Sequence, residues 1–237
     1  MHKHFFRGKN MATVITFEGI DGTGKGTQME LARDLFLSMG KKVLSLSFPR
    51  YDTFFGNEVG AYLTARDGVR ADTVDGKSMA LWFALDRWDT FRNISIDEYD
   101  VVVINRYVLS NAVYQSIRDI DLDKPDLIDF MIELEYEHFG IPRPDLCLLF
   151  DMDLSAANRN VSKKGFRDYI GGNGSDIYES VPDIQKRARQ KYLDYAKKLD
   201  NVRIIPCMED GRIKPIATVF SLVKDVFAKE GLILPDA

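Results

Sequence analysis

The chain has 237 residues, 45% of them hydrophobic, and a formal net charge of −4; that is enough for one domain with a sizeable core and argues against a largely disordered chain. The acidic balance argues against a general nucleic-acid binder, which carries a basic face. Two cysteines, Cys147 and Cys207, are too few for a disulfide framework or a zinc site, and they suit a reducing, cytoplasmic compartment.

Residues 1–11 read as a disordered leader: MHKHFFRGKN is basic but lacks the apolar segment of a signal peptide. No apolar run approaches the length needed to cross a bilayer. A short β-rich run, TVITF (Thr13 to Phe17), is followed by a Gly-rich turn and a helix from Lys25 to Met39, which Gly40 ends. Lys42 to Phe48 reads as the second strand, with helices over 56–65 and 76–93. Val101 to Asn105 is an unbroken β-branched run, as in a strand buried on both faces. Helices over about 107–116 and 125–138 precede a fourth strand, Asp145 to Asp153. A helix over 182–198, a fifth strand from Asn201 to Cys207 and a helix over 214–230 complete the set. Strands alternating with helices predict a parallel sheet covered on both sides, in a single domain over 12–237.

The segment from Ser162 to Ser180 fits that packing poorly. It combines Lys163, Lys164 and Arg167 with GGNG at 171–174. It is either a solvated loop or a mobile lid, over about 155–182, whose cations swing onto phosphates.

The stretch VITFEGIDGTGKGTQ, Val14 to Gln28, almost matches a phosphate-binding loop, whose pattern is Gly, four residues, Gly, Lys, then Ser or Thr. Gly19, Gly24 and Lys25 are in place, but Gly26 stands where the hydroxyl belongs, and Thr27 carries it one residue late. Backbone N–H groups of Gly22 to Thr27 would line an anion nest at a helix N-terminus. Lys25 would reach the terminal phosphates. A side chain at Gly19 or Gly24 would block close approach or demand a forbidden φ. Gly19, Ile20, Asp21, Gly22, Thr23, Gly24, Lys25, Gly26 and Thr27 therefore form the candidate nucleotide-phosphate site, which the resemblance drawn below makes the expected ATP site.

Four further segments follow in order: FPRY (48–51), LWFALDRW (81–88), NRYVLSNAVYQ (105–115) and RPDLCLLFDMD (143–153). With the Gly-rich loop they resemble the thymidylate kinases, a family of P-loop nucleoside monophosphate kinases, over residues 12 to about 230. The resemblance implies an α/β P-loop NTPase fold: a three-layer αβα sandwich with a five-stranded parallel sheet and a mobile lid. It implies phosphorylation of dTMP to dTDP with ATP and Mg²⁺, by a homodimer with small-molecule nucleotides as partners and neither nucleic acid nor membrane.

The same resemblance distributes roles. Lys25, Arg106 and Arg159 are the expected catalytic residues. Arg87 and Arg106 would hold the acceptor phosphate, which suits guanidinium geometry, with Arg50 assisting. Phe83 lies one helical turn before Arg87 and would stack on the thymine, with Phe48 as another wall. Ser110, Asn111 and Tyr114 match base and sugar contacts, Asp21 the residue that meets the 3′-hydroxyl, and Tyr178 the lid's aromatic contact. Arg159, Lys163, Lys164 and Arg167 would be the lid cations.

Two departures stand out. Gly26 has no hydroxyl for Mg²⁺, and Asn105 replaces the carboxylate of the family's Asp-Arg-Tyr segment. The metal would then be held through water and phosphates, with no firm protein ligand. Phosphoryl transfer depends mostly on positioning and charge neutralisation, so slower or differently arranged catalysis is expected. Gly22 also stands where one branch of the family carries a catalytic Arg; in the other branch the lid supplies the basic groups. A kinase for another deoxynucleoside monophosphate, or a nucleotide-binding protein with little turnover, remains open at this point.

Overall fold

The computed structural model describes residues 12–118, 125–161 and 182–234. Its strands are β1 (Thr13–Glu18), β2 (Val43–Ser47), β3 (Val101–Asn105), β4 (Leu146–Asp151) and β5 (Val202–Pro206). They form one sheet in the order β2-β3-β1-β4-β5, with every pair parallel. The order explains the sequence character of each strand. β1, β3 and β4 are interior and almost wholly buried, whereas the edge strands β2 and β5 expose part of their length.

Side chains alternate across β1 and β3, so Ile15, Val101 and Val103 enter one core and Val14, Val102 and Ile104 the other. The first core is covered by α1 (Lys25–Ser38), through Met29 and Phe36, and by α8 (Ile216–Lys229), through Val223 and Phe227. The second is covered by α3 (Gly76–Arg92), through Ala80 and Ala84, and by α4 (Val108–Arg118), through Val108 and Ala112. Each large apolar side chain so buried contributes about 1.5–3 kcal/mol. The result is the expected α/β P-loop NTPase sandwich.

Two helices that carry site residues or flank them are started by side-chain caps. Thr53 accepts from the Gly56 amide (3.1 Å) at the start of α2 (Phe54–Thr64), and Asp75 accepts from the Ser78 amide (3.0 Å) at the start of α3. The helix expected over 125–138 is α5 (Ile128–Ile132) continued by a π-helical turn, Glu133–His138. β4 ends at Asp151, and α6 (Leu154–Val161) follows, so the first residues of the region read as a lid are helical. After α7 (Pro182–Ala196) and β5 comes a short hairpin, β6 (Met208–Glu209) with β7 (Arg212–Ile213), that the sequence reading did not anticipate. The leader (1–11) and lid residues 162–181, with Lys163, Lys164, Arg167 and Tyr178, lie outside the described residues.

Candidate active site

β1, β2 and β3 end at a cavity of about 670 Å³ floored by the Gly-rich loop. Its lining includes Phe48, Phe83, Arg87, Asn111 and Tyr114, from the β2–β3 side of the sheet, and Cys207, Ile213, Ile216 and Val219, which follow the edge strand β5.

The loop has the backbone its glycines require. Gly19, Gly22 and Gly24 have φ of 139°, 84° and 84°, a region that side chains disfavour. A Cβ on Gly19 would lie 2.6 Å from the Phe150 carbonyl oxygen, whereas one on Gly24 would meet nothing within 4 Å. Gly24 is thus dictated by its φ alone. Ile20 buries its side chain in the core and presents its carbonyl, which accepts from Thr23 Oγ1 (3.1 Å) and Lys25 Nζ (3.1 Å). Lys25 Nζ is also 3.9 Å from Asp21. Gly26 and Thr27 line the cavity, and Thr27 is exposed.

Arg106 comes from the turn between β3 and α4. Its φ of 60° is left-handed, an uncommon state for a side-chain-bearing residue that signals a constrained site. The guanidinium donates to Asp21 Oδ1 (2.5 Å) and to Ser110 Oγ (3.4 Å), and lies 5.3 Å from the Tyr114 ring centroid. Burial opposes its charge, but Asp21 and the surrounding groups hold it protonated. Asp21 is shared further: its Oδ2 accepts from Gln185 Nε2 (3.2 Å) and Tyr114 Oη (3.4 Å).

Arg87 lines the cavity but is only 2% exposed. Its Nε and Nη2 donate to the two carboxylate oxygens of Glu135 at 2.5 and 2.6 Å. It therefore faces the cavity as half of a neutral pair and not as a free cation. Neither Arg50 nor Arg159 is among the cavity-lining residues. Arg50 pairs with Asp52 (2.9 Å), and Arg159 is exposed on α6. Asn111 Nδ2 donates to the Ala80 carbonyl (2.9 Å), which leaves its Oδ1 buried with no hydrogen-bond partner. Phe83 is half-buried, a wall of the cavity that also packs on the core. Asn105 donates from Nδ2 to Ser47 Oγ (3.0 Å), and its Oδ1 is buried without a partner. Cys207 also lines the cavity, yet burial pushes its thiol up to about 12, so it is a neutral wall and no nucleophile.

Several site residues escaped the sequence reading. Glu18 and Glu135 are fully buried carboxylates. Asp86 is buried as well and accepts from the Arg50 amide (2.8 Å) and Thr53 Oγ1 (2.9 Å), which fixes the FPRY loop. Asn160 Nδ2 donates to the Gly22 carbonyl (2.9 Å). Glu18 at least lies inside the Gly-rich segment; for Glu135, Asp86, Gln185 and Asn160 no local pattern marked a role.

Residues 17–210 match the family model described as thymidylate kinase. The thymidylate kinase of Mycobacterium tuberculosis (strain H37Rv) is 31% identical over 186 residues, covering 77% of this chain and 85% of that one. A probable thymidylate kinase of Thermococcus gammatolerans is 29% identical over 203 residues, covering 82% and 88%. Among solved structures, thymidylate kinase from Candida albicans superposes with a TM-score of 0.71 at 21% identity and 95% coverage of both chains. The one from Ehrlichia chaffeensis gives 0.63 at 24% identity, covering 91% of this chain and 98% of that one; both show a shared fold. With the phosphate loop at the cavity and a family match over most of its length, the chain belongs to the thymidylate kinase family.

Proposed function

We propose that the protein transfers the γ-phosphoryl group of ATP to dTMP, giving dTDP and ADP for dTTP synthesis. The observation that carries this reading is Asp21, the phosphate-loop carboxylate that pairs with Arg106 where both line the cavity.

The ATP triphosphate sits on the loop's N–H groups with Lys25 at its terminal phosphates. The monophosphate occupies the part of the cavity lined by α3 and α4. Phe83 supplies a stacking face, and Asn111 Oδ1, a buried acceptor without a partner, suits a ring N–H. Arg87, neutralised by Glu135, suits a neutral carbonyl of the base better than a phosphate, because its charge is already met. Arg106 is the acceptor-phosphate cation. An oxygen of that phosphate attacks the γ-phosphorus, the bond to the β-phosphate bridging oxygen breaks, and ADP leaves. A phosphate monoester has a second pKa of about 6, so near neutrality the attacking oxygen is already ionised and needs no base. An amide at Asn105 is compatible with that chemistry.

Among the described residues no group of three His, Cys, Asp or Glu could cage a metal. That donor set fits Mg²⁺, which keeps several waters and takes few protein ligands. Asp21 and Thr27 are the oxygens at hand, and the ion, when bound, would offset phosphate charge. Arg159, Lys163, Lys164, Arg167 and Tyr178 are assigned to the lid by the family resemblance.

The family resemblance implies a homodimer, and the exposed Phe54 on α2 and Leu81 on α3 are apolar side chains such an interface would cover. The net charge of −4 favours free nucleotides over nucleic acid as partners. Two free buried thiols suit a reducing, cytoplasmic compartment. Among the described residues no helix is long and apolar enough to cross a membrane.

Coupled turnover on a panel of nucleoside monophosphates tests the reading. dTMP should be the best substrate. dUMP should be weaker, because losing the methyl contact costs roughly 1–3 kcal/mol, and purine monophosphates should be poor. Lys25→Ala should abolish transfer without unfolding the chain. Efficient dGMP or dAMP turnover, or an active Lys25→Ala variant, would overturn it.

A further inference from the structure

Glu18 is the last residue of β1, immediately before the phosphate loop, and its carboxylate is fully buried. It makes three contacts with segments remote in sequence. Oε1 accepts from the Tyr107 amide (2.8 Å), while Oε2 accepts from Ser110 Oγ (2.5 Å) and Tyr192 Oη (3.3 Å). Tyr192 Oη is itself 2.7 Å from Ser110 Oγ. One carboxylate therefore ties the phosphate-loop strand to the start of α4 and to α7.

The contact with Tyr107 falls directly after Arg106. The Arg106 amide donates to the Phe17 carbonyl (3.1 Å), and the next amide, that of Tyr107, donates to Glu18. Two consecutive peptide N–H groups are thus held by two consecutive residues of β1. Between them lies the left-handed Arg106 backbone, φ 60°. Such a conformation persists only where its surroundings over-determine it. The same anchoring aims the guanidinium at Asp21 and Ser110. A buried carboxylate is costly unless hydrogen-bonded, and a generic core position would be filled more cheaply by an apolar residue.

We propose that Glu18 is a positioning residue: it holds Arg106 in register with the phosphate loop, so that donor and acceptor phosphates meet in line. The proposal rests on the kinase reading and adds a residue that acts on the reaction only through Arg106. It separates from a purely structural role because a stability contribution would weaken all ligands alike, whereas displacement of Arg106 weakens only those carrying a phosphate.

The test is a double-mutant cycle on wild type, Glu18→Gln, Arg106→Ala and the double variant. It reads the ratio of dTMP to thymidine affinity by calorimetry, and kcat. Glu18→Gln should cut the affinity ratio and kcat by about tenfold each, since small misplacement of a positioning group is costly, while leaving thymidine affinity unchanged. In the Arg106→Ala background it should change either quantity by less than about twofold, the non-additivity of groups acting as a unit. Equal losses in both backgrounds, an unchanged ratio, or a wild type that does not prefer dTMP to thymidine overturns the proposal. Should Glu18→Gln not fold, Tyr192→Phe removes a hydroxyl from the same carboxylate and enters the same cycle, with the same non-additivity required. A wild type that turns over no dTMP removes the kinase reading itself; a wild type that turns over, with an additive cycle, removes only the role of Glu18.

Discussion

The backbone of Gly22 lies against that of Ala157: a Cβ on Gly22 would sit 2.1 Å from the Ala157 carbonyl oxygen. Gly22 also has a left-handed φ of 84°, and its own carbonyl accepts from Asn160. Its place in the loop therefore excludes any side chain, including the Arg that one branch of the family carries there. Gly22→Ala should shift the loop away from α6, destabilise by more than about 1 kcal/mol and raise the KM for ATP. A variant with wild-type Tm and KM for ATP would show that the contact yields freely.

The Arg87–Glu135 pair makes a prediction about charge burial. Removing one partner of a buried pair costs about 3–5 kcal/mol, because the other charge is left uncompensated, whereas replacing both by apolar groups is often near neutral. Glu135→Gln should thus lower Tm markedly, and Glu135→Leu with Arg87→Met should recover most of the loss. Turnover of dTMP should not recover, since Arg87 lines the cavity beside Phe83, where the monophosphate is proposed to bind. Thermal unfolding beside KM for dTMP and for ATP checks both halves; recovery of a normal dTMP KM in the double variant would remove Arg87 from the substrate site.

Asn105→Asp tests the departure at the end of β3. It places a carboxylate beside Ser47 at the cavity wall. The fold should be unchanged, and either turnover rises or the Mg²⁺ dependence tightens. Rates for both proteins across a Mg²⁺ series decide the matter. If wild type is at background and only the Asp variant turns over, the chain binds nucleotides without catalysis.

Glu18 also leaves a mark on stability against pH. Burial raises its carboxyl above the ordinary range, despite the opposing hydrogen bonds from Ser110 and Tyr107. With the folded pKa above the unfolded one, the native state binds the proton first as pH falls. Stability contributed by this group is then present at acid pH and lost as pH rises through the folded pKa. The Tm of Glu18→Gln minus that of wild type should therefore become more positive from about pH 4.5 towards neutrality. A difference that falls or stays flat over that range contradicts the raised pKa.

Local pattern made most of the scaffold legible. The Gly-rich loop fixed the β1–α1 junction, and the β-branched run from Val101 announced a central strand. The site was legible only where its residues lie close together in sequence, as in the loop or along α4. What sequence reading lacked were partners far apart along the chain. Glu135 lies 48 residues from Arg87, and Gln185 164 residues from Asp21. Residue type alone marks Arg87 as a cation for a phosphate, and its pairing with Glu135 is visible only in the fold. The hairpin of β6 and β7 is two residues per strand, too short to show alternation.

α6 and α7 flank residues 162–181, and each is pinned to the phosphate loop at neighbouring positions. Asn160 holds the Gly22 carbonyl, and Gln185 accepts from the Asp21 amide at 3.2 Å. The end of α6 and the start of α7 are thus fixed beside the loop at one spot. Both contacts lie within the described residues, so new termini placed between Val161 and Pro182 would leave them in place and keep the sheet, the phosphate loop and α4 together. A circularly permuted chain opened there would separate what the folded scaffold supplies to the reaction from what the spanning segment supplies.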